Sequence, residues 1–240
     1  MNVETVENYP ALSATVAQSI IDAVARKPDA LVCIAGGDTP LGVFSELVRA
    51  SQNGNVDFSR VAFVGLDEWL GLGKADKGSC REMVWGHFFN HLNLRDEQIC
   101  FFDGLTKDPA TECQRVDEYI AAHGGIDIIV LGIGMNGHIG FNEPGVATNT
   151  GCHVVDLDDV TQAVSVKYFG KPLPVKQGIS LGLKTILAAQ SIILMASGEK
   201  KAAIIAKTRN APVSSAIPAT LLKPHPHLRV IVDRTAASQL

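Results

Sequence analysis

Apolar residues follow two alternating patterns along this chain. Short runs that are apolar at nearly every position and end in turn residues are typical of strands covered on both faces. They span 30–36, 60–66, 99–104, 126–134, 191–198 and 228–233. Between them, apolar residues recur at the spacing of amphipathic helices. Helices are predicted over the stretch that carries Leu12, Val16, Ile20 and Val24, and over 40–51, 79–92, 110–122, 180–189, 199–208 and 213–222.

The alternation of strands and helices predicts the fold class. It indicates an α/β protein with a doubly wound, Rossmann-like, mostly parallel sheet and helices on both of its faces. The first strand of the sheet is expected near residue 30, and residues 1–29 offer one helix. We find no internal repeat and no linker, so residues 1–240 are expected to form a single domain.

Composition and charge exclude several classes of protein. The chain has 240 residues, 46% of them apolar, which is ample for one large core. The net charge is −4 and no block of like charges occurs, so neither a nucleic-acid arm nor a membrane-surface helix is expected. The first ten residues contain no basic segment followed by an apolar one. A cytoplasmic protein without nucleic-acid or membrane partners is therefore predicted.

The cysteines indicate a reducing compartment. They are five in number, scattered, and without CxxC spacing, so neither a disulfide framework nor a zinc site is predicted. Cys33 and Cys100 lie inside apolar strand-like runs and are expected in the core.

The motif AGGDTPLGVF at 35–44 is the first candidate site, because ligands of parallel sheets bind at the carboxyl ends of strands. Gly36 and Gly37 let the backbone approach an anion, and a helix beginning at Thr39 would offer free N–H groups. An ordinary turn with Thr39 as N-cap explains the same residues equally well. Asp38 would repel a phosphate, and the motif is neither a Walker loop nor GxGxxG.

The motif GLDEWLGL at 65–72 places two carboxylates where a strand leaves the sheet. Asp67 or Glu68 could act there as a base. Taken alone, the stretch favours a solvated acidic turn.

The motif LGIGMNGHIGFNEPG at 131–145 joins a buried strand to a glycine-rich loop that carries His138 and Glu143. A carboxylate can orient an imidazole and raise its basicity, which suits proton transfer near neutral pH. The alternative is a tight turn at Asn136-Gly137 with a histidine bonded in the core. Neither GxSxG nor HExxH is present, so a nucleophilic serine and a zinc site are not predicted.

The motif ASGEKKAAII at 196–205 places Lys200 and Lys201 at the start of a helix. The helix dipole disfavours cations there, and a bound anion would explain them. A solvated lysine pair is an equally good explanation.

Together these motifs resemble the glucosamine-6-phosphate deaminase (isomerase) family over nearly the whole chain. The resemblance rests on AGGDTPLG, VGLDEWLGL, LGIGMNGHIGFNEPG, GISLGLKTI and SGEKKA. The related 6-phosphogluconolactonases typically read GHTASLFP where this chain reads GHIGFNEP. The amino-acid sequence, including VENYPALS near the start, is most similar to galactosamine-6-phosphate isomerase/deaminase members of the family.

The resemblance implies roles for individual residues. Asp67 matches the base that moves a proton between C2 and C1 of the open-chain sugar. His138, paired with Glu143, matches the histidine that opens the pyranose ring, and Asn136 matches a ring-opening or polarising position. The phosphate-binding set is Gly36, Gly37, Asp38, Thr39, Lys201 and, by a looser match, Lys167 in a mobile lid over 158–177. Asp38 departs from the small hydroxyl residue usual at its place.

The resemblance also implies the reaction. A hexosamine 6-phosphate would be isomerised and deaminated to a ketohexose 6-phosphate and ammonia. Galactosamine 6-phosphate giving tagatose 6-phosphate is the main expectation, and glucosamine 6-phosphate giving fructose 6-phosphate is the alternative. No metal or organic cofactor is expected, because the carbonyl of the substrate is the electron sink.

A lactonase and a non-catalytic sugar-phosphate sensor are the rival functions. The chain ends soon after its last strand, as short members do, so no allosteric site is expected.

Overall fold

The computed structural model describes residues 1–169 and 175–240. Seven parallel strands form the main sheet. Numbered along the chain, they are β1 (Val3–Val6), β2 (Leu31–Ile34), β3 (Ala62–Gly65), β5 (Ile99–Cys100), β6 (Ile128–Leu131), β9 (Ser191–Ala196) and β10 (Leu228–Asp233). Their order across the sheet is β1-β10-β9-β6-β2-β3-β5. The predicted α/β class and doubly wound parallel sheet are confirmed.

A second, antiparallel sheet consists of the strands β4 (Asp67–Trp69), β7 (His153–Asp156) and β8 (Gln177–Ser180). Their order across this sheet is β4-β8-β7. The sequence patterns did not predict this sheet, because its strands are short and carry polar residues. Strand β4 directly follows β3 in the chain, and the second sheet brings Asp67 next to the 131–145 motif.

Seven α-helices connect the strands. They are α1 (Tyr9–Arg26), α2 (Leu41–Gln52), α3 (Cys80–His87), α4 (Pro109–Ala122), α5 (Asp159–Phe169), α6 (Leu183–Leu187) and α7 (Ala202–Asn210) in the described part of the chain. Short 3₁₀ segments occupy Phe89–His91, Asp96–Gln98, Glu199–Lys201 and Pro218–Leu222. Side chains of Asn8, Ser79 and Asp108 cap the N-termini of α1, α3 and α4.

Two apolar cores cover the two faces of the main sheet. Strand β2 sends Val32 and Ile34 into one core and Leu31 and Cys33 into the other. Helices α1, α2 and α3 pack on the first face, and α4, α6 and α7 pack on the second. This arrangement explains why the strand runs are apolar at nearly every position. Cys33 and Cys100 are buried as predicted.

Several predicted boundaries were wrong. The first strand of the sheet is not near residue 30, because Val3–Val6 pairs in parallel with β10 at the edge. Its alternation of half-buried and exposed residues is too short to reveal a strand. The helix predicted over 180–189 begins only at Leu183, and the one over 213–222 is a 3₁₀ segment from Pro218. The helix over 79–92 ends at His87.

The chain reverses its direction of winding between β2 and β6. From β2 it proceeds through β3 to β5 at one edge, and from β6 through β9 and β10 toward the other. Such a switch point leaves a crevice at the carboxyl ends of the two central strands, which is where ligands bind in open α/β sheets.

Among the helices of residues 1–169 and 175–240, none combines the length and apolar character that crossing a bilayer requires.

Candidate active site

A cavity of about 180 Å³ lies at this switch point. Loops that follow β2, β3, β6 and β9 line it, and α5 covers it from the side. All of the residues predicted for the site line this cavity except Asn136 and Glu143, which lie behind His138. Four separate sequence motifs therefore meet in one crevice.

The glycine loop after β2 is shaped by close packing. Gly37 has a φ of 103°, in the left-handed region that favours glycine. A Cβ at Gly36 would lie 2.9 Å from the Cα of Cys80, so only glycine lets α3 approach here. The predicted N-cap was wrong by one residue, because α2 begins at Leu41 and Pro40 is its N-cap, without a side-chain acceptor. The N-cap residue therefore offers no side-chain cap, although the carbonyl of Asp38 in the loop accepts the N–H of Leu41 at 3.3 Å.

Asp67 begins β4 and is buried in the crevice wall. Burial raises the pKa of its carboxyl to about 6, while a thiol hydrogen bond from Cys80 at 3.5 Å and the nearby His138 act to lower it. A carboxyl with a pKa close to neutral is well matched to proton abstraction at physiological pH.

Glu68 points away from the crevice into the N-terminus of α3. Its carboxylate accepts backbone hydrogen bonds from Trp69, Cys80 and Arg81 at 2.8, 2.9 and 2.8 Å. Burial raises its pKa to about 7, and these hydrogen bonds oppose that rise. Of the two carboxylates in the motif, Asp67 faces the cavity and Glu68 anchors α3.

His138 and Glu143 form a hydrogen-bonded pair. His138 Nδ1 lies 3.3 Å from Glu143 Oε2 and 3.1 Å from the hydroxyl of Thr161, which itself donates to Glu143 at 2.6 Å. Asn136 donates to Glu143 at 2.8 Å and accepts the backbone N–H of His138 at 3.1 Å. Burial opposes ionisation of Glu143, but bonds from His138, Thr161 and Asn136 lower its pKa.

This network assigns the tautomer of His138. Because the Thr161 hydroxyl donates to Glu143, it can only accept from Nδ1, so Nδ1 carries the proton. Nε2 makes no hydrogen bond to protein within the described ranges and remains available as an acceptor in the crevice. A Cβ at Gly134 would overlap the imidazole, so the ring lies directly on the backbone of the motif.

Two lysines also line the cavity. Lys201 donates to the carbonyl of Ile133 at 2.6 Å, and burial together with repulsion from Lys167 lowers its pKa to about 8. Lys167, on α5, pairs with Asp38 at 2.7 Å and lies over the ring of Tyr168. While this ion pair is formed, Lys167 offsets the negative charge of Asp38.

Comparisons with known proteins identify the family. The family model for glucosamine-6-phosphate isomerases/6-phosphogluconolactonase matches residues 5–231. The chain belongs to this family. A protein of Bacillus velezensis named glucosamine-6-phosphate deaminase is 41% identical, with 99% of each chain covered. One of Halothermothrix orenii with the same name is 40% identical over both full lengths.

Solved structures of the glucosamine-6-phosphate isomerases/6-phosphogluconolactonase family have the same fold. A monomeric glucosamine-6-phosphate deaminase superposes with a TM-score of 0.96 at 35% identity, and each chain is fully covered. The 6-phosphogluconolactonase of Trypanosoma brucei superposes at 0.78 with 18% identity, covering 100% of this chain and 98% of its own. That second likeness concerns the fold alone.

Sequence motifs missed two side chains that contact the predicted family residues. Thr161 comes from α5 and joins His138 to Glu143, and Cys80 comes from the first turn of α3 and bonds Asp67. Neither belongs to a glycine-rich turn or follows a strand of the main sheet. The only local signal was Ser79, a serine N-cap directly before Cys80.

Proposed function

We propose that this protein converts a hexosamine 6-phosphate and water into a ketohexose 6-phosphate and ammonia, with glucosamine 6-phosphate as the substrate and fructose 6-phosphate as the product. The observation that carries the proposal is a buried carboxyl, Asp67, with a pKa of about 6, in one cavity with His138, whose imidazole pairs with Glu143 behind it. Full-length relatives named glucosamine-6-phosphate deaminase support the same reaction.

The first step is opening of the pyranose ring. Nε2 of His138 accepts the proton of the C1 hydroxyl and returns it to the ring oxygen as the C1–O5 bond breaks. Glu143 stabilises the positive charge that the imidazole carries between these transfers, and Asn136 and Thr161 hold Glu143 in place. The product of this step is an aldehyde at C1.

The second step is enolisation by Asp67. Its carboxylate removes the proton from C2, and the electron pair moves to the C1 carbonyl, which takes up a proton and gives an enolamine. Return of a proton to C1 gives a protonated imine at C2. Water adds to that carbon and ammonia leaves with the nitrogen, so the atoms of substrate and water are all accounted for.

The phosphate is assigned to the glycine loop and the lysines. Gly36, Gly37 and Thr39 supply backbone at the cavity just before α2 begins, and Lys201 supplies charge. Lys167 is a second cation for this group once it exchanges Asp38 for the phosphate. Asp38 then acts as a competitor for Lys167 and not as a ligand.

Helix α5 lies within the lid predicted over 158–177, although 170–174 lie outside the described residues. Thr161 bonds the His138–Glu143 pair, and Phe169 packs edge-on against Trp69 with ring centroids 5.4 Å apart. Val160 and Val164 line the cavity. A lid that moves here would align the histidine pair as it closes and would exclude water from Asp67.

The substrate epimer is tested by measuring ammonia release from glucosamine 6-phosphate and galactosamine 6-phosphate. The two sugars differ only at C4, so the groups that act on C1 and C2 do not discriminate between them. The names of the relatives favour the gluco alternative over the galacto expectation of the sequence motifs. We expect the higher kcat/KM for glucosamine 6-phosphate and no hydrolysis of 6-phosphogluconolactone. A higher kcat/KM for galactosamine 6-phosphate would instead assign that sugar as the substrate and tagatose 6-phosphate as the product.

Replacing Lys201 with alanine is expected to raise KM about ten- to a hundredfold, because a charge-assisted contact contributes roughly 1.5–3 kcal/mol. The change in kcat should be smaller, since the phosphate is remote from C1 and C2. Steady-state kinetics with glucosamine 6-phosphate measure both constants. Lys200→Ala is the matched control, because Lys200 is exposed and does not line the cavity. Equal KM values for the two variants would contradict a phosphate contact at Lys201.

A further inference from the structure

Tyr9 connects the first helix to the glycine loop through a single hydroxyl group. Its oxygen accepts the backbone N–H of Gly42 at 2.7 Å. Its proton is directed toward the carbonyls of Thr39 and Asp38, at 3.0 and 3.3 Å. One side chain therefore joins the end of the loop to the first turn of α2.

The hydroxyl supplies the cap that α2 lacks in its own sequence. The N-cap residue is Pro40, which has no side-chain acceptor, and Gly42 carries one of the N–H groups that a helix leaves free in its first turn. Tyr9 satisfies this N–H from a position 33 residues earlier in the chain. Backbone carbonyls accept two further N–H groups of this turn, since Leu41 donates to Asp38 at 3.3 Å and Phe44 donates to Pro40 at 3.0 Å.

Close packing of α1 on α2 gives this contact its precision. A Cβ at Gly42 would overlap the hydroxyl of Ser13 and would lie 3.0 Å from the hydroxyl of Tyr9. Leu12 and Val16, further along α1, are fully buried. The Tyr9 side chain therefore projects from a firmly packed helix, which holds its hydroxyl against the loop.

We propose that Tyr9 is a positioning residue that holds the glycine loop and the start of α2 in the geometry that binds the phosphate of the substrate. Tyr9 does not line the cavity, so it acts through the backbone of Asp38, Thr39 and Gly42. The proposal rests on the assignment of this loop to the phosphate. It concerns substrate affinity and leaves the chemistry at C1 and C2 to other residues.

The test is Tyr9→Phe, which keeps the ring and removes only the hydroxyl. Losing hydrogen bonds worth about 0.5–1.5 kcal/mol predicts a rise of roughly two- to tenfold in KM, with kcat changed less than about twofold. The dissociation constant of inorganic phosphate should rise by the same factor. Amide hydrogen exchange at Gly42 should become faster, because its acceptor is gone.

Tyr119→Phe is the matched control, since the Tyr119 hydroxyl also donates to a backbone carbonyl, that of Glu97, outside the cavity. It should leave KM and phosphate binding at wild-type values. Unchanged phosphate binding in Tyr9→Phe would overturn the proposal even if the variant melts earlier, and so would a wild type that binds no phosphate. A wild type that binds phosphate but releases no ammonia would refute the proposed function alone, and the ratio of the phosphate dissociation constants would still decide the role of Tyr9.

Discussion

Asp67→Asn is expected to lower kcat by about 10²–10⁴-fold, the usual contribution of a general base. Asparagine keeps the shape of the side chain and its hydrogen bond with Cys80 but cannot accept the proton of C2. Substrate affinity should change little, because the proposed phosphate contacts lie on other loops. Ammonia release measures the turnover, and a hexitol 6-phosphate, which cannot enolise, measures binding.

The stability of this variant provides the control. Burial raises the pKa of Asp67 from 3.8 to about 6, so the fold loses stability as the pH rises through that interval and the group becomes charged. A shift of this size corresponds to about 3 kcal/mol at neutral pH. Removing the charge should therefore leave the midpoint of thermal unfolding unchanged or higher. A variant that stays folded and releases ammonia at a near wild-type rate would exclude Asp67 as the base.

His138→Gln is expected to slow turnover of the cyclic hexosamine 6-phosphate by about 10²–10⁴-fold, through loss of proton transfer in ring opening. Enolisation should suffer much less, because the proposed mechanism assigns that step to Asp67. Exchange of the C1 protons of fructose 6-phosphate with deuterated water, in the presence of ammonium, reports enolisation without opening an aldopyranose ring. We therefore expect the ratio of the two rates to change by a large factor.

His87→Gln is the matched control, because His87 is exposed on α3 and does not line the cavity. Both of its rates should equal those of the wild type. An equal loss of ammonia release and of deuterium exchange in His138→Gln would show that His138 takes part beyond ring opening.

The two carboxylates of the second motif illustrate the limit of sequence patterns. The pattern placed Asp67 and Glu68 together at the end of a strand, and both are buried there. Neighbouring residues of a strand point to opposite sides, so only one can face the cavity. Which one does so depends on the pairing of Asp67 with Ser180 in the second sheet, a partner more than a hundred residues away.

The sequence by itself determined the main sheet, apart from its edge strand β1, and the loops of the site. Runs such as 30–36 and 126–134 are apolar because both faces of the sheet are covered, and the glycines after them mark where the chain turns into the crevice. These signals are local, since burial and turn conformation act on each residue in its own segment. Their contribution to the site was the position of His138 and Glu143 in one loop.

Only the tertiary structure decided how these loops work together. Thr161 completes the His138–Glu143 pair from α5, Cys80 bonds Asp67 from α3, and Tyr9 caps α2 from α1. Each contact joins segments that are distant in the chain, and each depends on how helices pack against the sheet. No periodicity or motif encodes such packing, because the residues involved carry no local conformational signal of their partners.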